Sequence, residues 1–147
     1  MPIDLPLTLH SRLDAPDIAA AVELLAGEYW NLGVHSPERI AGAIAGSTAF
    51  VGARDGEGRL VGCARALSDG HKYAWIYDVV VAPMWRRAGL GSALMRLVLE
   101  HPRVRGAASV LLQTRDAMPL YRKLGFVDLA AAPPRPYTST TMVRIQR

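Results

Sequence analysis

Apolar residues recur along this chain in two rhythms, every second position and every third or fourth, and the changes of rhythm divide it into elements. LPLTLH (5–10) alternates as a short strand does. Asp14-Ala15-Pro16-Asp17 then opens a helix, with proline in the first turn and acid at the positive end of the dipole, expected to run through IAAAVELLAGEYW. Ser36-Pro37-Glu38 starts a second helix over ERIAGAIAG, with Ser36 as its cap. TAFVGAR, RLVGCARALS and YAWIYDVVVAP follow, separated by the turn strings DGEG and DGHK, and form an antiparallel meander. The third of these strands is the most apolar, with Val79, Val80 and Val81 in succession, as in a strand covered on both faces.

In LGSALMRLVLEH, Leu90, Leu94 and Val98 stand four apart with Met95 and Leu97 beside them, the stripe of a helix packed on a sheet, and Pro102 ends it. SVLLQT is a short buried strand, MPLYRKLG a short helix closed by Gly125, and FVDLA and TSTTMVRI two further strands. The order β-α-α-β-β-β-α-β-α-β-β predicts a mixed α/β fold. No internal repeat interrupts it, and only AAPPRPY is proline-rich, as a connecting loop. A chain of 147 residues suits a single domain spanning 1–147.

Composition narrows the function classes. Charged residues make up 20% and apolar residues 50%, a globular balance. No apolar stretch approaches the roughly 20 residues of a membrane span, and MPIDLPLTLH lacks the basic start and apolar run of a secretory leader. Cys63 is the only cysteine, so an internal disulfide is impossible and a cytoplasmic setting is expected. The net charge of +4 points to an anionic partner. Its basic residues are scattered and not interleaved with aromatics, which argues against nucleic acid. His10, His71 and His101 have no neighbours at metal-ligand spacing, so no metal is expected.

The local chemistry concentrates in WRRAGLGSALM (85–95), where Arg86 and Arg87 precede Gly89 and Gly91 at the start of a helix. Glycines let the backbone approach an anion, a helix N-terminus leaves N–H groups unpaired, and the dipole favours negative charge. A P-loop would need Gly-Lys-Ser/Thr where Gly91-Ser92-Ala93 stands, and a dinucleotide fingerprint would need a third glycine at Leu94.

Arg86, Gly89 and Gly91 after the strand ending Val79 to Pro83, together with LYRKLGF at 120–126, resemble the GNAT superfamily of GCN5-related N-acetyltransferases. EYWNLGV, YDVVV, LEHP and TRD before LYRKLGF look like a subset of its bacterial members. The resemblance implies a mostly antiparallel sheet of six to seven strands flanked by about four helices, acetyl-CoA as donor and a primary amine as acceptor. It implies that Arg86, Arg87, Ala88, Gly89, Leu90, Gly91 and Ser92 hold the pyrophosphate, and that Val79, Val80 and Val81 pair with the pantetheine arm. Thr114 stands where many members have asparagine near that arm, and Tyr121 falls on the usual general acid, the alternative being a core-packing helix residue. A homodimer through the C-terminal strands is the further implication.

An acceptor amine must be neutral to attack, and a group of pKa near 10.4 is neutral in only about one part in 10³ at pH 7. Asp78 is the first candidate base, with a structural or substrate-orienting acid as the other reading, because alternation puts Asp78 and Val80 opposite Val79 and Val81 unless a bulge intervenes. Glu28 and His35 are the next candidates, and Tyr29 and Trp30 are expected to line the acceptor pocket or pack in the core. Cys63, mid-strand, is a poor nucleophile, which favours direct transfer in a ternary complex. Relatives tend to carry His-Gly where this chain has Met118-Pro119. The competing reading is a non-catalytic acyl-CoA-binding module.

Overall fold

A computed structural model describes residues 6–146, so Leu5 of the first expected strand lies outside the described residues. The elements are β1 (Thr8–His10), α1 (Ala15–Leu25), α2 (Pro37–Ala45), β2 (Ala49–Arg54), β3 (Leu60–Ser68), β4 (Tyr73–Val81), α3 (Leu90–Leu99), α4 (Pro102–Arg105), β5 (Ser109–Leu111) and α5 (Met118–Lys123). Single 3-10 turns occupy Pro83–Trp85 and Leu129–Ala131. Two compact units divide the chain, Met1–Thr114 with the sheet and Arg115–Arg147 with α5. None of the described helices is long and apolar enough to cross a membrane.

The signals legible in the sequence act as local chemistry. The Asp17 carboxylate, the acid expected in the first turn, accepts from the Asp14 N–H at 3.0 Å, and Ser36 Oγ, the expected cap, accepts from the Arg39 N–H at 3.1 Å. In the DGEG turn Asp55 accepts from the N–H groups of Glu57 and Arg59, each at 2.9 Å. In DGHK one oxygen of Asp69 collects three, from His71, Lys72 and Tyr73, at 2.8, 2.7 and 3.2 Å. These bonds hold both carboxyls below their ordinary acidity range.

The strands lie in the order β1-β2-β3-β4-β5, antiparallel throughout except for the parallel pair β4–β5. Facing pairs put Cys63 with Val80 on one face and Gly62 with Val81 on the other. The first face packs on α1 and α2 through Leu13, Ala21, Leu25, Ile40 and Ile44. The second packs on α3, where Leu90 and Leu94 meet Ala53, Val61 and Trp85. Gly62 is what lets α3 come so close, since a Cβ there would sit 3.0 Å from Leu94 Cδ1 and 3.1 Å from the Val80 carbonyl. Leu94, wholly buried, is worth about 2–5 kcal/mol over alanine at such a site.

Several boundaries differ from the sequence expectation. The first helix stops at Leu25, not Trp30, because the buried Asn31 side chain donates to the Leu25 carbonyl at 3.1 Å and turns replace the ladder. The third ends at Leu99, and Pro102 begins the one-turn α4 where only a stop was expected. The strand at SVLLQT shrinks to Ser109–Leu111. Neither FVDLA nor TSTTMVRI forms a strand among the described residues, so the sheet has five strands instead of six or seven, and five α-helices replace about four. After Gly125 at φ 91°, FVDLA leads into a 3-10 turn, and the prolines of AAPPRPY that follow lack N–H donors. TSTTMVRI has the composition of a strand, but a strand exists only through a partner, and no described strand is present within 115–146.

Asp17 on α1 and Arg54 at the end of β2 form a half-buried ion pair at 2.6 Å that ties helix to sheet. Burial works to raise the Asp17 pKa, but the Arg54 guanidinium and the Asp14 N–H outweigh it and leave it lowered. A depressed carboxyl stabilises the fold fully above its unfolded value, about 3.9, and loses that contribution as pH falls through the folded value. Replacing Asp17→Asn should therefore cost about 1.5–3 kcal/mol in urea unfolding at pH 7, and the deficit should shrink as pH falls below about 4. An unchanged unfolding midpoint at pH 7 would contradict this.

Candidate active site

The meander carries an irregularity in β4 that alternation could not anticipate. Arg65 faces Tyr77, and two positions back Cys63 faces Val80, so one residue of β3, Ala64, stands opposite two of β4, Asp78 and Val79. This is a β-bulge, and it sets Tyr77 and Val80 on one face. Of the two arrangements left open by the sequence, plain alternation with Asp78 and Val80 together against Val79 and Val81, or a bulge, the strand takes the bulge. Asp78 takes φ 54°, a left-handed conformation that costs a residue with a Cβ about 1–3 kcal/mol unless its surroundings hold it.

The holding groups are visible. One Asp78 oxygen accepts from Trp30 Nε1 at 2.7 Å and the other from Arg65 Nε at 2.6 Å. Arg65 and Asp78 are only 12% and 11% exposed in their side chains, so neither charge is left to water. Arg65 also reaches the Ala43 carbonyl at 3.5 Å and Ser47 Oγ at 3.4 Å, and lies 4.9 Å over the Tyr77 ring. Arg65 escaped the sequence reading, although an arginine in the apolar string GCARALS had to find a buried acid, and Asp78 lies on the neighbouring strand.

Beyond the bulge one edge of β4 pairs with no strand among the described residues. Its pairing with β5 covers only Tyr73–Ser109, Ala74–Val110 and Trp75–Leu111, so the ladder on that side stops before Ile76. Val80 turns its side chain into the core while Val81 packs toward α3, leaving backbone as what the edge presents. At the end of the strand Arg86 Nε donates to the Val81 carbonyl at 2.9 Å and its Nη2 to Glu28 at 3.1 Å. Arg86 is thus engaged by protein, while the exposed Arg87 side chain has no ionic partner among the described residues.

Arg87 at φ 64° and Gly89 at φ 83° bend the chain into α3. The first hydrogen bond of that helix runs from the Ala93 N–H to the Gly89 carbonyl at 3.1 Å. The N–H groups of Arg87, Ala88, Gly89, Leu90, Gly91 and Ser92 have no acceptor among the described residues, although the Leu90 side chain is buried in the core. Such a run of donors at a helix start is an anion cradle.

The other expected site residues fall into groups. Glu28 and Trp30, in the turns after α1, meet Arg86 and Asp78 as described, while Tyr29 packs edge-on against Trp30 at 4.9 Å and is 42% exposed. His35 is exposed, its N–H donating to the Asn31 carbonyl at 2.9 Å. Thr114 is half-buried at the end of the first unit. Within the second unit Tyr121 sits on α5, half-buried, with its ring 6.1 Å from that of Phe126 and its carbonyl accepting from the Phe126 N–H at 3.1 Å. Among the described residues no three His, Cys, Asp or Glu side chains gather as a metal site would require.

Residues 19–126 match the acetyltransferase (GNAT) family model. The chain belongs to the GNAT family of acetyltransferases. Its fold superposes on the crystal structure of a GNAT-family protein from Xanthomonas campestris pv. campestris with a TM-score of 0.75 and 28% identity, over 91% of this chain and 95% of that one. It is 41% identical over 71 residues to GCN5-related N-acetyltransferase 1, chloroplastic, of Arabidopsis thaliana, covering 48% of this chain and 36% of that protein. It is also 40% identical over 76 residues to glucosamine 6-phosphate N-acetyltransferase of Trypanosoma brucei brucei, covering 47% and 52% of the two chains. The matched segment therefore spans about a third to a half of these two curated relatives.

In this GNAT chain Cys63 is 1% exposed, and its Sγ lies 3.9 Å from the Asp78 carbonyl. Burial first, and the Asp78 charge second, push its thiol up to about 12. A thiol-specific reagent at pH 8 should leave the native protein unlabelled over the time in which the urea-unfolded protein reacts completely. Rapid labelling of the native protein would contradict the buried placement.

Proposed function

We propose that the chain acts as one N-acetyltransferase domain, taking acetyl-CoA as donor and the primary amine of a small molecule or peptide as acceptor in a ternary complex. The observation that carries this is the run of N–H groups from Arg87 to Ser92 that have no acceptor among the described residues, set directly after an edge of β4 that pairs with no described strand. A pyrophosphate in that cradle gains about 0.3–1 kcal/mol from each charge–dipole contact at a surface, so several donors act together, with the exposed Arg87 guanidinium beside them. The open N–H and C=O groups of the β4 edge suit an extended amide-bearing chain laid down as one more strand.

Acetyl transfer forms a C–N bond to the acceptor nitrogen and breaks the thioester C–S bond, and each end needs proton management. In the proposed scheme Tyr121 donates a hydrogen bond or proton to the departing sulfur. Glu28, Tyr29, Trp30 and His35 form the acceptor side, where Glu28 or His35, directly or through water, takes the proton the amine loses. Asp78 serves as the acid that shapes the strand, because both its oxygens already accept short bonds. Cys63 carries no acyl group, in keeping with its burial and raised pKa. A cytoplasmic setting is proposed on the lone, unpaired cysteine.

Thermal unfolding with acetyl-CoA, CoA and ATP tests the donor. At a hundredfold excess over Kd a ligand stabilises by about 2.7 kcal/mol, a rise of about 5–10 °C for a chain of this size. Both CoA species should produce it and ATP should not; no shift with any of the three at millimolar concentration contradicts the proposal. Tyr121→Phe should lower kcat by about 10²-fold while leaving the CoA Kd unchanged. An unaltered kcat would remove Tyr121 from the chemistry, and no thiol release with any amine would favour a non-catalytic acyl-CoA binder.

A further inference from the structure

We propose that Arg65 is a positioning residue for acetyl transfer. Through the Asp78 carboxylate and the Trp30 indole it holds the β4 bulge in its left-handed turn, and so shapes the strand edge that receives the donor and ties it to the acceptor-side loop. The proposal rests on the β4 edge being the donor site.

Three features converge on it. Asp78 keeps φ 54° although it has a Cβ; aspartate tolerates that region better than most residues, and inside a strand its neighbours must still hold it there. The carboxylate is fixed from two sides, by Arg65 Nε at 2.6 Å and Trp30 Nε1 at 2.7 Å, which removes its freedom to rotate as the backbone relaxes. Arg65 is in turn seated against the Tyr77 ring and the last turn of α2, so the clamp is anchored in the core and not in solvent.

The same loop grips the strand twice. Trp30 holds Asp78 at one end of the exposed edge, and Glu28, through Arg86, reaches the carbonyl of Val81 at the other. Residues 79–81, the stretch expected to meet the donor arm, are therefore tethered through Asp78 on one side and Val81 on the other to residues 30 and 28. A movement of that loop on binding an acceptor is transmitted to the donor edge, and the donor KM becomes sensitive to acceptor-side substitutions.

A glycine at position 78 separates the clamp from general stability, because glycine takes φ 54° without cost. Isothermal titration of CoA into the full chain should show Arg65→Gln weakening affinity about tenfold, which is about 1.4 kcal/mol. Combining R65Q with Asp78→Gly should return it to within about threefold of the unaltered protein, since the bulge no longer needs holding. Equal affinity of R65Q and the unaltered protein, or a double variant no tighter than R65Q, overturns the proposal. Should R65Q fail to fold, Trp30→Phe keeps an aromatic side chain and removes the pyrrole with its N–H donor; weaker CoA binding is expected, and unchanged binding overturns the clamp. Amide NMR signals of Val79 to Val81 report the bulge independently of any ligand: they should move in R65Q and move back in R65Q/D78G. If the unaltered chain binds no CoA, the donor-site reading falls and the acetyl-transfer role with it, whereas unmoved amide signals in R65Q overturn the clamp itself.

Discussion

A charged hydrogen-bonded contact between Asp78 and Arg65, completed by the Trp30 indole, is the constraint on which the site depends. Removing either partner would strand the other charge in a half-dry environment, a loss of about 3–5 kcal/mol for a buried pair. Replacing the pair by apolar side chains of similar volume could be neutral for stability. Its value therefore lies in geometry more than in strength. The pair fixes a left-handed residue in a strand that otherwise packs like its neighbours, and the extra residue shifts the register so that Tyr77 and Val80 share a face.

From that point the rest of the site follows. The β4–β5 ladder ends at Trp75 and Leu111, and the strand continues toward Arg86 and the start of α3 with no partner on that side among the described residues. Apolar packing of Leu90 and Leu94 against Gly62 and Trp85 seats α3 on the sheet. The helix N-terminus is thereby presented with its first donors unspent. Two kinds of backbone without a protein partner among the described residues, a strand edge and a helix start, meet end to end, which leaves their donors and acceptors to water or to a ligand.

Much of this could be read in advance, and the exceptions share a cause. The capped helix starts at Asp14 and Ser36 and the aspartate-led turns at Asp55 and Asp69 were legible because the deciding groups lie within four residues of one another. The glycine-arginine run was legible for the same reason, and so was the α3 stripe. What escaped depends on groups distant in the chain. The end of α1 is set by Asn31 folding back on Leu25, the bulge by Arg65 and Trp30 converging on Asp78, and the engagement of Arg86 by Glu28. The expected strands after Gly125 failed in the same way, since alternation marks a segment able to pair and says nothing of a partner. Family membership enlarges what the residues alone support, yet one fold hosts many substrates, and the acceptor belongs to the site and not to the fold.

The most direct test is titration of isotopically labelled protein with CoA, following every backbone amide by NMR. If the donor lies along the β4 edge with its pyrophosphate at α3, the amides of Arg87 to Ser92 and Val79 to Val81 shift together and saturate at one concentration. Shifts absent from both stretches, or confined to a different part of the molecule, would contradict the assignment of this site to acetyl-CoA.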